Sequence, residues 1–182
     1  MTKVQKKTYS MTVFGCQMNE RDAETLRGFL EELGYEETEA AENADLVIMN
    51  TCAVRQKAEE KVFGRIGRLG QLKATRPELK IAVCGCMVQQ PEVAAKIKRN
   101  YPFVDLIFGT HNIAAFPQLL QQALESEETV LDIREEAEGV TEGLPVARQD
   151  NIKAWVNITL GCNNFCSYCI VPYVRGRERS RN

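Results

Sequence analysis

Short apolar runs of strand length alternate along this chain with segments whose apolar residues recur every three or four positions. Asp45–Asn50 and Lys80–Gly85 have the continuous apolar character of strands that are buried on both faces. Further strands are predicted at Thr8–Gly15, Tyr35–Ala40, Val104–Phe108 and Thr129–Ile133. Strands that alternate with helices in this way predict an α/β fold with a doubly wound, mostly parallel sheet of the Rossmann or flavodoxin-like kind.

Three cysteines follow predicted strands directly. Cys16, Cys52 and Cys86 lie 36 and 34 residues apart, which is about one strand–helix–strand step. Because the carboxyl ends of parallel strands share one edge of the sheet, the three thiols are expected to meet and hold a metal. The alternative is that they pack as small hydrophobic side chains. Cys84 is predicted to lie within its strand, buried against a helix, which leaves Cys86 in the loop at the edge.

A second group of cysteines has the spacing C-x3-C-x2-C and consists of Cys162, Cys166 and Cys169. It follows an alternating run, Ile152–Leu160, that predicts a strand leading into a tight loop. Three thiolates can hold three irons of a cubane cluster and leave the fourth iron open for a small ligand. A structural zinc site is the alternative, but it normally needs four ligands, and the single histidine, His111, is far away in sequence.

Composition narrows the class of protein. The chain has 182 residues and a net charge of −2, which gives no global argument for nucleic-acid binding. The amino terminus does not have the pattern of a signal peptide, and no apolar run reaches the length of a membrane span. The expected compartment is the cytoplasm, where seven cysteines indicate metal binding or catalysis rather than disulfides. Fading periodicity and an acidic stretch predict a boundary between a first domain, 1–147, and a second segment, 148–182.

Three weaker patterns have structural interpretations. Asn19 is predicted to cap the first helix. Gly64, Gly67 and Gly70 recur inside a helical pattern and do not follow a strand, so they predict close helix packing rather than a nucleotide-binding loop. His111 is predicted to cap or pad the helix that follows it rather than to bind a metal.

Together these segments resemble the radical S-adenosylmethionine (SAM) methylthiotransferase family, and the similarity covers nearly the whole chain. The segments that carry it are Phe14–Asn19, Asn50–Arg55, Val83–Met87, Phe108–Asn112, Gly161–Cys169 and Arg175–Arg181. The sequence Gly-Cys-Gln-Met-Asn in the first segment is most similar to that of the subfamily that acts on isopentenyladenosine in tRNA. Sibling enzymes act on threonylcarbamoyl-adenosine or on an aspartate of a ribosomal protein.

The resemblance implies two [4Fe-4S] clusters and SAM. The ligands of the auxiliary cluster, which bears the sulfur to be inserted, would be Cys16, Cys52 and Cys86. The ligands of the radical SAM cluster would be Cys162, Cys166 and Cys169. In the family, one-electron cleavage of SAM gives a radical that removes hydrogen from carbon 2 of the adenine, and a second SAM supplies the methyl group. Tyr168 would contact the SAM adenine.

The implied partners are the anticodon stem-loop of tRNA, with its adenosine-37, and an electron donor such as flavodoxin or ferredoxin. No membrane partner is implied, and the sulfur donor is left open. The chain departs from the family in length, because it ends thirteen residues after Cys169, at the first strand and cluster loop of a truncated radical SAM barrel. We therefore expect a fragment that does not turn over by itself. Its one strand of the barrel is expected to be disordered or paired with another molecule.

Two alternatives remain open from the sequence. The rival from another class is a non-catalytic iron–sulfur or zinc scaffold protein, which a natural stop codon after Asn182 would favour. The role of the terminal arginines also has several interpretations, namely phosphate contacts, a solvated face, or a place near the cofactor pocket. These arginines are Arg175, Arg177, Arg179 and Arg181.

Overall fold

The computed structural model describes residues 6–54, 56–136, 139–150 and 152–181. Six strands form one sheet: β1 (Thr8–Val13), β2 (Glu36–Glu37), β3 (Leu46–Thr51), β4 (Lys80–Gly85), β5 (Leu106–Phe108) and β6 (Val130–Asp132). Their order is β2-β1-β3-β4-β5-β6, and every pairing is parallel. The predicted α/β fold with a mostly parallel sheet is confirmed. The sequence did not predict the order of the strands.

Helices cover both faces of the sheet. The four longer ones are α1 (Gln17–Glu32), α2 (Gln56–Thr75), α3 (Pro91–Asn100) and α4 (Phe116–Glu125), with 3₁₀ helices at Ala41–Asn43 and Thr110–Ala115. Side chains alternate along β3, so Val47 and Met49 pack with α2 and α3, while Leu46 and Ile48 pack with α1 and α4. This alternation explains the continuous apolar run in the sequence, because both faces of the strand are buried.

The connector after β6 covers the outer face of α1. Its backbone at Pro145 lies so close to Gly28 that a methyl group there would come within 2.6 Å of the Pro145 carbonyl carbon. The Ala147 amide donates a hydrogen bond of 2.9 Å to the carbonyl of Glu24. As a result α1 is buried on most sides, and polar residues such as Asp22 and Arg27 are buried within it. The boundary predicted near residue 147 stays a prediction.

Two predictions about helices were wrong in detail. Asn19 lies inside α1, and Cys16 occupies the N-cap position without a side-chain capping bond. The side-chain amide of Asn19 instead donates hydrogen bonds to backbone carbonyls at the ends of two strands. Among the three glycines of α2, only Gly70 has a close neighbour, the ring of Phe103, whereas Gly64 and Gly67 face open space.

The carboxyl-terminal segment contains a small hairpin and one short helix. Its elements are β7 (Thr159–Leu160), α5 (Val171–Arg175) and β8 (Arg179–Ser180), with β7 and β8 antiparallel. The strand predicted at Ile152–Leu160 was wrong for all but its last two residues. Ile152 is 94% exposed and Ile158 is 73% exposed, since in the described chain only β8 pairs with this run. The expectation that this strand would be disordered or pair with another molecule was also wrong, because β8 is its partner.

Within the described residues, none of the helices has both the length and the apolar character that a membrane crossing requires.

Candidate metal centre

The three strand-end cysteines lie on adjacent strands at one edge of the sheet. Cys16 follows β1, Cys52 follows β3 and Cys86 follows β4, and the sheet order places β1, β3 and β4 side by side. Cys52 and Cys86 are only 4% and 5% exposed, whereas Cys16 is exposed at the start of α1. Cys84 lies within β4 and is buried on the face that packs against α1 and α4. The predicted locations of all four thiols are therefore observed.

Two glycines bring the three loops together. Gly15 has φ +122°, and a methyl group on it would come within 2.7 Å of Cβ and 2.9 Å of Sγ of Cys52. The turn that carries Cys16 therefore lies directly against Cys52. Gly85 has φ +97°, and this left-handed conformation ends β4 and turns the chain toward the edge. The amide of Cys86 then donates a hydrogen bond of 2.9 Å to the carbonyl of Thr51.

Asn19 connects these loops through its buried amide group. Its Nδ2 donates to the carbonyls of Phe14, at 2.6 Å, and Thr51, at 2.8 Å, which are the last residues before the first two cysteine turns. Its Oδ1 accepts a hydrogen bond from the Cys86 Sγ at 3.5 Å. One side chain thus contacts the backbone beside two cysteines and the thiol of the third. The sequence did not reveal this role, because it depends on loops that meet only in the folded sheet.

Arg175, at the end of α5, reaches the same edge and is 6% exposed. Its Nε donates a hydrogen bond to the Cys86 Sγ at 3.1 Å, and its Nη2 donates to the Asn19 Oδ1 at 2.7 Å. Its Nη1 lies 2.5 Å from the Asp22 Oδ2 in a buried ion pair. The helix is held in place by a bond of 2.6 Å from the Thr110 hydroxyl to the carbonyl of Val174. The one sequence signal for this burial is an arginine that ends the apolar segment Ile170–Val174.

The electrostatics of the edge follow from its burial. Burial raises the pKa of the Cys86 thiol to about 11, although the Arg175 guanidinium opposes this shift. Burial also raises the pKa of Cys84 well above its usual range. The pKa of the Asp22 carboxyl is raised by burial as well, and Arg175 counteracts the rise. Burial lowers the pKa of Arg175, but Asp22 and Cys86 outweigh burial, so the guanidinium stays charged.

The donor set fits a soft metal or an iron–sulfur cluster by its chemistry, because all the cysteines of the chain are free thiols and three of them share one edge. In the part of the chain that the structure describes, however, no three side chains of His, Cys, Asp or Glu are grouped closely enough to hold a metal ion. The three thiols therefore share an edge without converging on one point, and Cys86 is hydrogen-bonded to Arg175.

The second cysteine group lies in the loop between β7 and α5. Cys162 and Cys169 are half-buried, and Cys166 is exposed. The amide of Cys169 donates to the carbonyl of Cys166 at 2.9 Å, and Phe165 turns the chain with φ 47°. This compact turn brings two of the cysteines together along the backbone. Tyr168 is 90% exposed, so its predicted contact with SAM stays a prediction.

Comparison with known protein families identifies a family that matches this chain. The sequence model of the family described as Uncharacterized protein family UPF0004 matches residues 8–109, which include β1 through β5 and the three strand-end cysteines. The chain belongs to this family. UPF0004 is the amino-terminal domain of methylthiotransferases of the kind inferred from the sequence, so the family resemblance is confirmed.

Curated relatives are similar over almost the whole chain. A tRNA-2-methylthio-N(6)-dimethylallyladenosine synthase of Desulforamulus reducens is 59% identical over 96% of the chain. Proteins of the same name from Acetivibrio thermocellus and Caldicellulosiruptor saccharolyticus are 56% and 57% identical over 97% and 96% of it. The chain spans 38%, 37% and 37% of the lengths of these three relatives.

Proposed function

We propose that this chain is the amino-terminal part of a radical SAM tRNA methylthiotransferase, which inserts sulfur and transfers a methyl group at carbon 2 of N6-isopentenyl (dimethylallyl) adenosine. The observation that carries the proposal is the placement of Cys16, Cys52 and Cys86 on three adjacent strand ends. The names of the relatives support the substrate, and their greater length supports a catalytic region beyond the residues described here.

In this proposal the chain supplies ligands from two places. Cys16, Cys52 and Cys86 hold an auxiliary [4Fe-4S] cluster, and the loop of Cys162, Cys166 and Cys169 holds a second one that binds SAM. Such clusters, when bound, supply one-electron chemistry and sulfur that amino-acid side chains cannot provide. The seven free thiols favour a reducing, cytoplasmic setting, and the electron donor would be a small redox protein such as flavodoxin or ferredoxin.

The residues around the first triad position and enclose it. Asn19 ties the backbone before Cys16 to the backbone before Cys52, which fixes the spacing of these two turns. The Arg175 guanidinium donates to the Cys86 sulfur, as outer hydrogen bonds commonly do to orient metal ligands. Because Arg175 belongs to the segment that carries the second cysteine loop, it also joins the two candidate centres.

The test is the iron and acid-labile sulfide content of the chain after anaerobic reconstitution. We expect the wild type to hold two clusters. Two triple variants test this. The Cys16/Cys52/Cys86→Ala variant should lose the iron and sulfide of one cluster, and the Cys162/Cys166/Cys169→Ala variant should lose those of the other. Cys84→Ala is the matched control, since Cys84 is a buried thiol next to the triad that is not assigned as a ligand.

Three results would contradict the proposal. The first is that zinc alone binds, which would favour a scaffold. The second is that the strand-end variant keeps all its iron, which would make its cysteines packing residues. The third is that Cys84→Ala loses as much iron as the triple variant, which would mean that the wrong thiols were assigned.

A further inference from the structure

A polar cleft of about 330 Å³ lies beside the cysteine edge, between α1, the 3₁₀ helix Thr110–Ala115, the connector and the carboxyl-terminal segment. We call it the arginine cleft, because five arginines line it: Arg21, Arg134, Arg175, Arg179 and Arg181. Two acidic residues, Asp22 and Glu142, also line it. Positive charge therefore exceeds negative charge among the residues that form this cleft.

Two of the arginines are neutralised by carboxylates of the same cleft. Arg175 forms the buried ion pair with Asp22 at 2.5 Å, and Arg181 pairs with Glu142 at 2.9 Å. Arg21 has a longer contact of 3.4 Å to Glu24 on the next turn of α1. Both acidic residues of the cleft are thus already paired, so neither of them neutralises Arg134 or Arg179.

The remaining two arginines make contacts only to neutral groups in the described chain. Arg134 is held by its backbone, since its amide donates to Asn112 Oδ1 at 3.2 Å and its carbonyl accepts from Gln89 at 2.7 Å. Arg179 donates to the carbonyls of Gly139, at 2.9 Å, and Arg175, at 3.0 Å. Among the described residues neither guanidinium has an ion pair with a carboxylate. Arg179 is partly buried, and a partly buried cation is stabilised by an anionic ligand, whereas Arg134 is exposed.

His111 adds an unpaired polar atom to the same wall. Its Nε2 is buried and has no hydrogen-bond partner among the described residues. Burial, followed by the charges of Arg179 and Arg175, lowers the pKa of His111 to about 4, so the imidazole is neutral at physiological pH.

We propose that the arginine cleft binds a backbone phosphate group of an RNA substrate, with Arg134 and Arg179 as its main contacts. Guanidinium groups present paired donors that match phosphate oxygens. A cleft of about 330 Å³ has room for a phosphate group of an RNA backbone. The inference rests on the proposed function, because it takes the polyanion to be RNA, and it would place that RNA next to Cys86.

The experiment measures binding of a fluorescein-labelled RNA hairpin to the whole 182-residue chain by anisotropy at several salt concentrations. Arg134→Gln is the principal variant, since no side-chain bond of Arg134 holds the described fold together. We expect a several-fold loss of affinity and a salt slope that falls by about 1, as for the loss of one phosphate contact. Arg179→Gln should act in the same direction, and Arg179→Lys should restore part of the slope.

The matched control is Arg68→Gln, which removes the same charge from an exposed position on α2 outside the cleft. We expect its salt slope to equal that of the wild type. An equal change in Arg68→Gln and Arg134→Gln would overturn the inference, because binding would then reflect net charge alone. Absence of RNA binding by the wild type would overturn it as well.

Competition separates an RNA backbone from a free phosphate compound. Unlabelled RNA hairpin should displace the probe, whereas inorganic phosphate and adenosine monophosphate at equal phosphate concentration should not. Displacement by adenosine monophosphate as effective as by the hairpin would overturn the inference in favour of a mononucleotide site. The proposed function is judged separately, by iron content, which Arg134→Gln should leave unchanged because all cysteines are intact.

Discussion

The Nε of Arg175 donates a hydrogen bond to the Sγ of Cys86 at 3.1 Å, although the two residues are 89 positions apart in the chain. Through this contact the short helix α5 closes onto the carboxyl edge of the parallel sheet. The same guanidinium binds Asp22 and Asn19, so a single side chain joins three segments of the chain.

Arg175→Met should lower the free energy of unfolding by about 3 kcal/mol, because it leaves the buried Asp22 carboxylate without its partner. Urea denaturation monitored by circular dichroism measures this. Asp22→Asn combined with Arg175→Met should cost less than the sum of the two single changes, since the pair is coupled. Lys6→Met removes an exposed ion pair with Glu36 and should have little effect. If Arg175→Met lowered the free energy of unfolding as little as Lys6→Met does, the result would contradict a buried ion pair between Arg175 and Asp22.

Thiol reactivity should separate the cysteines by burial. In the folded, metal-free chain at mildly alkaline pH, iodoacetamide should modify the exposed Cys16 and Cys166 first. Cys84 and Cys86 should react last, since burial raises the pKa of both thiols and the thiolate is the nucleophile. Peptide mapping by mass spectrometry gives the order, and labelling in denaturant is the control, where these differences should vanish. Modification of Cys86 as fast as Cys16 would show that the edge is open.

Stability should depend on pH through His111. The pKa of His111 is about 4 in the folded chain, below its ordinary value of 6.5 in the unfolded one, so the unfolded chain takes up the proton first as pH falls. The stability contributed by the neutral imidazole is therefore complete above pH 6.5 and is lost as pH falls toward 4. The midpoint of urea unfolding should decrease between about pH 7 and about pH 5, and this decrease should be larger for the wild type than for His111→Gln. Equal decreases in the two proteins would mean that His111 is protonated as easily in the folded chain as in the unfolded one.

Two glycines of α2 should respond oppositely to the same change. Gly67→Ala should raise the free energy of unfolding by about 0.5 to 1 kcal/mol, because Gly67 faces open space and alanine favours the helix. Gly70→Ala should lower it, since the new methyl group would lie 2.5 Å from the ring of Phe103. Thermal unfolding of both variants under one set of conditions provides the comparison. Stabilisation by Gly70→Ala would show that the Phe103 ring can move aside without cost.

The parallel sheet and the cysteine edge were predictable because both depend on local regularities. The run Asp45–Asn50 is apolar on both faces only if two layers of helices cover it, and a cysteine after each strand has only one edge to occupy. The strand predicted at Ile152–Leu160 shows the limit of such patterns. Alternation favours a strand, but a strand needs a neighbour to pair with, and β8 in the described chain pairs with only two of these residues.

The interactions that order the edge were not predictable for a different reason. Asn19 has the residue type and position of a helix cap, yet its amide binds two carbonyls that approach it only after β1 and β3 pair. For the terminal arginines a place near the cofactor pocket was one of three interpretations, and nothing in the sequence distinguished Arg175 as the one that contacts Cys86. Such long-range polar contacts are settled by tertiary packing, so a pattern read along the chain does not contain them.

The distance in sequence between Cys86 and Arg175 has a consequence for the order of events on the ribosome. Chains are synthesised at about 5 to 20 residues per second, so Arg175 is added roughly 4 to 18 s after Cys86, from which it is separated by 89 residues. During that interval the nascent sheet has its cysteine turns without the guanidinium that later covers one of them. Delivery of iron and sulfide during translation would therefore meet an uncovered thiol, whereas delivery after release would have to displace a buried arginine.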